Sequence, residues 1–183
     1  MELILASASP RRQELLLKIA PKFSVVPSAF EERGAYGAQD TALAFARGKA
    51  EEVFWRYPEA LVLGADTVVA LGERVFGKPS SKQEAYGMLR ALSGKTHSVF
   101  TGVCLVKAGA RREAVAETKV TFHDLSDAFI EEYIASGSPF DKAGGYGIQD
   151  GGLVRRIEGS YTNVVGLPLE TVKAFLEELG GRQ

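Results

Sequence analysis

Leu61-Val62-Leu63-Gly64-Ala65-Asp66-Thr67-Val68-Val69-Ala70-Leu71 is the stretch on which the reading of this chain turns. Leu61 to Leu63 is a short, wholly apolar strand, and strand residues resume from Val68 to Leu71. An apolar run without polar alternation suits a strand covered on both faces, as in α/β sheets. Between the two pieces, Gly-Ala-Asp-Thr sets a carboxylate and a hydroxyl among apolar neighbours. Burying Asp66 unpaired is expensive. Either the residue makes a local turn bond, or it is a site carboxylate; Thr67, a second polar group in the run, favours the site.

Upstream, Leu3 to Ser7 reads as a buried strand, and Ser9-Pro10 opens a helix with Ser9 as N-cap and Pro10 at the first position. A second strand, about Phe23 to Val26, leads through Pro27 to a polar turn at Glu31-Glu32-Arg33. Thr41 to about Arg56 is a helix stopped by Pro58. Downstream, Ser80 to Gln83 has capping-box spacing ahead of a helix packed through Ala85, Met88, Leu89 and Leu92. Val99, Thr101, Val103 and Leu105 alternate, as do Ala114, Ala116, Thr118, Val120 and Phe122, which predicts a hairpin across Gly109. A helix from Ser126 to Ile134, a glycine-rich stretch from Gly137 to Gly152, a strand near Leu153 to Ile157 and a last helix through Val172 and Leu179 complete the chain. The mixture predicts an α/β fold, a twisted mixed sheet with helices on its faces.

At 183 residues the chain suits one domain spanning 1–183. Twenty-two Lys and Arg against 23 Asp and Glu leave a net charge of −1, so no global basic field attracts a nucleic-acid polymer. No apolar run approaches the roughly 20 residues of a membrane span, and Met1-Glu2-Leu3-Ile4-Leu5 lacks the basic region of a signal peptide. The single cysteine, Cys104, is expected in a strand core rather than as a catalytic thiol, and a reducing cytoplasm is the simplest compartment.

Any charged ligand must therefore meet a local cluster. Ser7-Ala8-Ser9-Pro10-Arg11-Arg12 puts two arginines in the first turn of a helix, against its dipole. They are either solvated surface residues or, with Ser7 and Ser9, a polyphosphate clamp. Lys49 falls at the edge of the apolar arc Ala42, Ala46, Ala50 and Val53, where a lysine either snorkels outward or points into a cleft. Gly77-Lys78 and Gly94-Lys95 set Lys78 and Lys95 in loops as further candidate substrate contacts. Neither a P-loop nor a dinucleotide fingerprint fits, because Leu89 and Asp150 stand where glycines are required. Gln149 offers a donor and an acceptor that match a pyrimidine edge, or is a plain strand-edge amide. His97 and His123 lack metal-ligand spacing, so a divalent metal would be held by carboxylates and phosphate oxygens.

Taken together, Ala6 to Arg12, Gly64 to Val69, Gly77-Lys78-Pro79, Leu92 to His97, Thr101-Gly102-Val103, Asp141 to Gln149 and Asn163 to Pro168 resemble the Maf family of nucleotide pyrophosphatases, in the family's order. The resemblance implies a sheet with two lobes around a long cleft, related to inosine-triphosphate pyrophosphatases. It implies hydrolysis of a nucleoside triphosphate to monophosphate and diphosphate, with dTTP and UTP as substrates. Asp66 matches the catalytic carboxylate; Ser9, Arg11 and Arg12 the phosphate-binding start; Lys49 and Lys78 the site lysines; and Glu31 an acid that helps Asp66 hold metal. Arg12, Thr67 and Gln149 match the positions of base choice. The implied cofactor is Mg²⁺, Mn²⁺ or Co²⁺, and the implied assembly a homodimer. Gly145 and Asp150 depart from the family's usual Ala and Gly. Two other readings use the same residues: a non-catalytic nucleotide-binding regulator of cell division and septum formation, and a purine triphosphate pyrophosphatase.

Overall fold

Residues 61–71 form one uninterrupted strand, β3 (Leu61–Leu71), so Gly-Ala-Asp-Thr is not a turn between two strands. Its register with β5 (Thr96–Lys107) runs unbroken from Val62 opposite Val106 to Ala70 opposite Ser98. That pairing carries the polar residues through as extended strand and removes the local-turn explanation of Asp66. The structure, a computed structural model, describes residues 1–33 and 37–180; the other positions of the expected 1–183 domain lie outside the described residues.

The remaining strands are β1 (Leu3–Leu5), β2 (Ser24–Val25), β4 (Arg74–Phe76), β6 (Ala110–Phe122) and β7 (Val154–Glu158). The sheet has the order β2-β1-β3-β5-β6-β7, with β4 added beside β3. β1 lies parallel to β2 and β3, and every other pairing is antiparallel, so the sheet is mixed as expected. The hairpin has the predicted partners, Thr101 opposite Ala116 and Val103 opposite Ala114, across Gly109 at φ +73°. Three-residue β4 carries too little pattern to stand out in the sequence.

One edge of β3 changes partner halfway along. β1 accompanies it as far as Leu63, and β4 joins only at Val69. Residues 64–68 therefore face an opening in the sheet, beyond the carboxyl end of β1. Ligands bind α/β sheets beyond strand carboxyl ends where neighbouring connections diverge. Asp66 and Thr67 sit in that opening.

Helices α1 (Pro10–Leu17) and α6 (Leu169–Leu179) cover one face of the sheet beside Leu5, Leu63, Ala65 and Val103. Helix α2 (Ala38–Arg56) covers the other through Ala46, Ala50 and Val53. A third apolar cluster joins α3 (Lys82–Leu92) and α4 (Asp127–Ala135) to Val69, Val99 and Phe122 at the far end of the long strands. Two clusters on opposite faces at one end of the continuous sheet and this third at the other, with the opening between them, make the two lobes and their cleft. Short α5 (Tyr161–Val165), unforeseen in the sequence, is capped by Ser160, whose hydroxyl accepts the Asn163 N–H.

Two capping details differ from expectation. Ser9 occupies the N-cap of α1 without a side-chain cap bond. The box predicted on Ser80 and Gln83 sits one residue later: Ser81 accepts the Glu84 N–H, and the Glu84 carboxylate, a stronger acceptor than the Gln83 amide, accepts the Ser80 N–H at 2.7 Å.

Small residues let the backbone of α2 pack directly on the sheet. A Cβ at Gly64 would fall 2.2 Å from the Ala46 carbonyl oxygen, and one at Gly102 would fall 2.2 Å from that of Ala42. Backbone atoms cannot step aside as side chains do. Gly64→Ala or Gly102→Ala is expected to lift α2 from the sheet and cost about 1–3 kcal/mol, the range of core overpacking. At roughly 2–4 °C per kcal/mol for a chain of this size, thermal unfolding should register the loss. An unchanged melting temperature in both variants would contradict the close packing.

Candidate active site

Strand alternation sends Asp66 and Thr67 to opposite faces of β3, and each meets a different partner. Asp66 faces α2, where the small-residue packing brings the helix near enough for Lys49 Nζ to donate to Asp66 Oδ1 at 2.6 Å. Lys49 thus points into the cleft rather than snorkelling outward. Its ammonium also lies 2.7 Å from Glu32 Oε1, between two carboxylates. The segment bearing Glu32 is fixed upstream: Glu52 of α2 accepts from Ser28 Oγ and the Ala29 N–H, and Phe30 lies over Gly48, edge-on to Phe45.

Asp66 is only 9% exposed. Burial raises its pKa above the ordinary carboxylate value, and Lys49 and Arg12 offset part of that rise. A carboxylate held above its usual range in a cleft is the state a general base requires.

Thr67 faces the other way, into a network centred on Arg12. Arg12 donates from Nε to the Gly166 carbonyl at 2.8 Å, and from its two other nitrogens to Ser7 Oγ at 3.2 Å and Thr67 Oγ1 at 3.1 Å. Burial lowers the Arg12 pKa, opposed by Asp66. Thr67 shares a hydrogen bond with Thr101, whose hydroxyl donates to the Asn163 carbonyl. Asn163, the chain's single asparagine, is wholly buried and donates to Val99 O and Thr118 Oγ1. One guanidinium therefore ties the ends of β1 and α5 to the middle of β3.

Arg11 reaches across the cleft. It donates to Asp141 Oδ2 at 2.7 Å and to the Asp141 carbonyl at 3.3 Å, while Lys142 donates to the other carboxylate oxygen at 2.7 Å. Burial would raise the Asp141 pKa, but Lys142 and Arg11 hold it at about 2. Lys78 lines the same cleft, exposed and without a hydrogen bond or ion pair among the described residues.

Ser7, Ser9, Arg11, Arg12, Lys49, Asp66, Thr67, Lys78 and Gln149 all line one cleft of about 740 Å³, within the range of small-molecule sites. Arg11, Arg12, Lys49, Lys78 and Lys142 face Glu32, Asp66 and Asp141 there, a local charge of +2 in a chain of −1.

Two expected residues stand elsewhere. Glu31 does not line the cleft: its exposed carboxylate pairs with Arg33 at 2.6 Å, and its neighbour Glu32 is the acid presented to Lys49. Lys95 is exposed in the α3–β5 turn, where Gly94 and Lys95 bond to His123, Leu92 and Phe122 backbone, away from the cleft lining. Sequence reading also passed over Asp141, Lys142 and Tyr146 as individual site residues. Tyr146 hydrogen-bonds through its hydroxyl to His97 Nε2 at 2.7 Å, which anchors that wall of the cleft in the apolar cluster under α3 and α4. His97, buried there, has its pKa pushed down to about 4. Burial pushes the Cys104 thiol up to about 12, a structural and unreactive state.

The donors near Asp66 suit a hard cation. Asp66 and Glu32 already bracket one positive charge, the Lys49 ammonium, and both offer oxygen ligands. No group of three or more metal-ligating side chains occurs among the described residues, so oxygens of a bound ligand would have to complete the shell.

The arrangement has relatives. The family model described as Maf-like protein matches residues 2–179. A dTTP/UTP pyrophosphatase of Carboxydothermus hydrogenoformans is 48% identical over 98% of this chain and 100% of its own. One from Thermococcus gammatolerans is 49% identical over 97% of this chain and 96% of its own. Among solved structures, the Ham1 protein of Staphylococcus aureus shares the fold, with a TM-score of 0.59 at 14% identity over 97% of this chain and 99% of that one. With the family model matched from the first strand to the last helix and near-half identity to full-length relatives, this chain belongs to the Maf family.

Proposed function

We propose that the chain is a nucleoside triphosphate pyrophosphatase that hydrolyses dTTP and UTP to the monophosphate and diphosphate, as a single Maf-like domain. The names of its relatives support the substrates. The observation that carries the chemistry is Asp66, a buried carboxylate with a raised pKa on the wall of a cleft with excess positive charge.

In this reading Asp66 accepts a proton from water as the water oxygen bonds to the α-phosphorus. The bond from that phosphorus to the bridging oxygen breaks, and diphosphate leaves. Lys49 orients Asp66, and Lys78, without a hydrogen bond or ion pair among the described residues, meets the phosphates. Arg11 exchanges its Asp141 contact for a phosphate oxygen, a substitution between like acceptors. Arg12 holds Thr67 and the Gly166 carbonyl in place and adds positive charge beside the bound chain. A divalent cation held by Asp66, Glu32 and phosphate oxygens would supply charge neutralisation; Glu32 takes the place that sequence reasoning gave to Glu31. Gln149, without a hydrogen bond among the described residues, reads the base edge. No helix among the described residues is long and apolar enough to cross a membrane, and the buried thiol fits a cytoplasmic setting.

Asp66→Asn is expected to keep nucleotide binding and lose at least ~10²-fold in turnover, the scale of general-base catalysis. The same variant separates function from stability. A carboxylate whose folded pKa is raised stabilises the fold fully at pH below its unfolded value and loses that contribution as pH rises through the folded one. Asn does not titrate, so Asp66→Asn should melt above the wild type at neutral pH, and the gap should close on acidification. Melting curves of both proteins across a pH series, without metal or nucleotide, check the stability difference, since burial raises the Asp66 pKa in that state. Diphosphate release and equilibrium nucleotide binding check the rest; undiminished turnover in Asp66→Asn would sink the assignment.

Gln149→Ala is expected to reduce discrimination between dTTP or UTP and GTP more than it reduces kcat with dTTP. Rates over a panel of pyrimidine and purine triphosphates measure this, and an unaltered preference would remove Gln149 from base recognition.

A further inference from the structure

The turn that carries Gln149 is fastened from behind, by groups outside the cleft. Ile148–Asp150 form one 3-10 turn, closed by the Asp150 N–H donating to the Gly147 carbonyl at 3.1 Å. Asp150 does not line the cleft. Its carboxylate turns to the opposite side, accepts hydrogen bonds from the Tyr133 and Ser138 hydroxyls, and lines a separate hollow beside Phe129 and Glu132. The Tyr133 hydroxyl simultaneously accepts the Gly147 N–H at 3.0 Å. A single phenol thus holds the residue entering the turn and the residue leaving it.

Tyr133 is itself fixed on α4, 9% exposed and stacked on Phe129 with ring centroids 6.4 Å apart. Gly147 permits the closure: a Cβ there would lie 2.8 Å from Asp150 Oδ2 and 2.9 Å from Lys142 Cε. Lys142 Nζ also donates to the carbonyl and hydroxyl oxygens of Ser138, which steadies the second donor to Asp150.

We propose that Tyr133 and Asp150 form a clasp that positions Gln149 and thereby sets the base selectivity of the cleft. The proposal rests on the reading of Gln149 as the group that meets the base. An amide such as that of Gln149, without a bond among the described residues, discriminates only if the backbone beneath it is held still, because bases differ in where donors and acceptors lie. A turn free to tilt would let the same amide satisfy either pattern. Phenol-to-carboxylate bonding is stronger than bonding between neutral groups. Against burial, which would raise it, the Ser138 and Tyr133 hydroxyls keep Asp150 below the ordinary carboxylate value; burial and Asp150 raise the Tyr133 phenol. Donor and acceptor roles are therefore fixed at neutral pH. The extra negative charge at position 150 is used behind the turn and is not presented to the nucleotide.

Amide exchange at Gly147, followed by NMR in the nucleotide-free full chain, reads the clasp without any substrate. Tyr133→Phe is expected to speed that exchange roughly 3- to 10-fold, the scale of one lost hydrogen bond. It should raise KM for dTTP by a similar factor, with a smaller change in kcat, and narrow the preference for dTTP over GTP. Asp150→Ala should follow the same course, whereas Asp150→Asn, which keeps an acceptor oxygen for Tyr133, should retain most of the preference. Tyr86→Phe removes another phenol-to-carboxylate bond, to Asp127 away from the cleft, and should leave the preference intact. Unchanged Gly147 exchange in Tyr133→Phe and Asp150→Ala overturns the clasp. Faster exchange with an unchanged preference overturns its role in selectivity, if Gln149→Ala lowers that preference in the same assay. Should Gln149→Ala leave the preference unaltered, the reading of Gln149 is what has failed, and the clasp's role in selectivity falls with it.

Discussion

The site depends on how closely one helix can approach the sheet. Ala42, Ala46 and Ala50 on α2 meet Gly64 on β3 and Gly102 on β5, and at the two glycines even a methyl group would strike helix backbone. That contact sets the distance from Lys49 to Asp66. A larger residue at any of these points would hold the ammonium away from the carboxylate. Asp66 would then be buried without its main partner, an expensive state. The opening in the sheet beside residues 64–68 matters for the same reason, because it gives the pair access to a ligand.

Electrostatics in the cleft follows from this packing. Most of its cations are already engaged: Lys49 by Glu32 and Asp66, Arg11 by Asp141, and Arg12 by Ser7, Thr67 and Gly166. Such contacts hold the positive groups in place, and a phosphate binding Arg11 as proposed would have to displace Asp141. Arg12 serves position as much as charge, since it joins three segments far apart in sequence. Burial makes the Asp66 carboxylate costly to the fold, and the general-base role proposed for it would set that cost against function, as in sites that sacrifice stability for activity.

The sequence made the architecture and much of the cleft legible, for identifiable reasons. Long periodic elements such as the β5–β6 hairpin and the α3 stripe carry their own signal, and their register and packing match the reading. Asp66 stood out because a charge within an apolar strand is anomalous wherever the strand lies. Glu31 and Glu32 could not be separated, since they are adjacent, of one type, and differ only in which one the chain turns toward Lys49. Lys95 shares a Gly-Lys pattern with Lys78, and only the fold puts one in the cleft and the other beyond α3. Asn163 and the Tyr133–Asp150 pairing are contacts between segments distant in sequence. Nothing local announces them.

Attack of water at the α-phosphorus of a pyrimidine nucleoside triphosphate leaves an isotopic mark. Hydrolysis of dTTP by the wild-type protein in ¹⁸O-labelled water, with mass analysis of both products, should place one labelled oxygen in dTMP and none in the diphosphate. Label in the diphosphate, orthophosphate as the first product, or no turnover at all would overturn the proposed reaction.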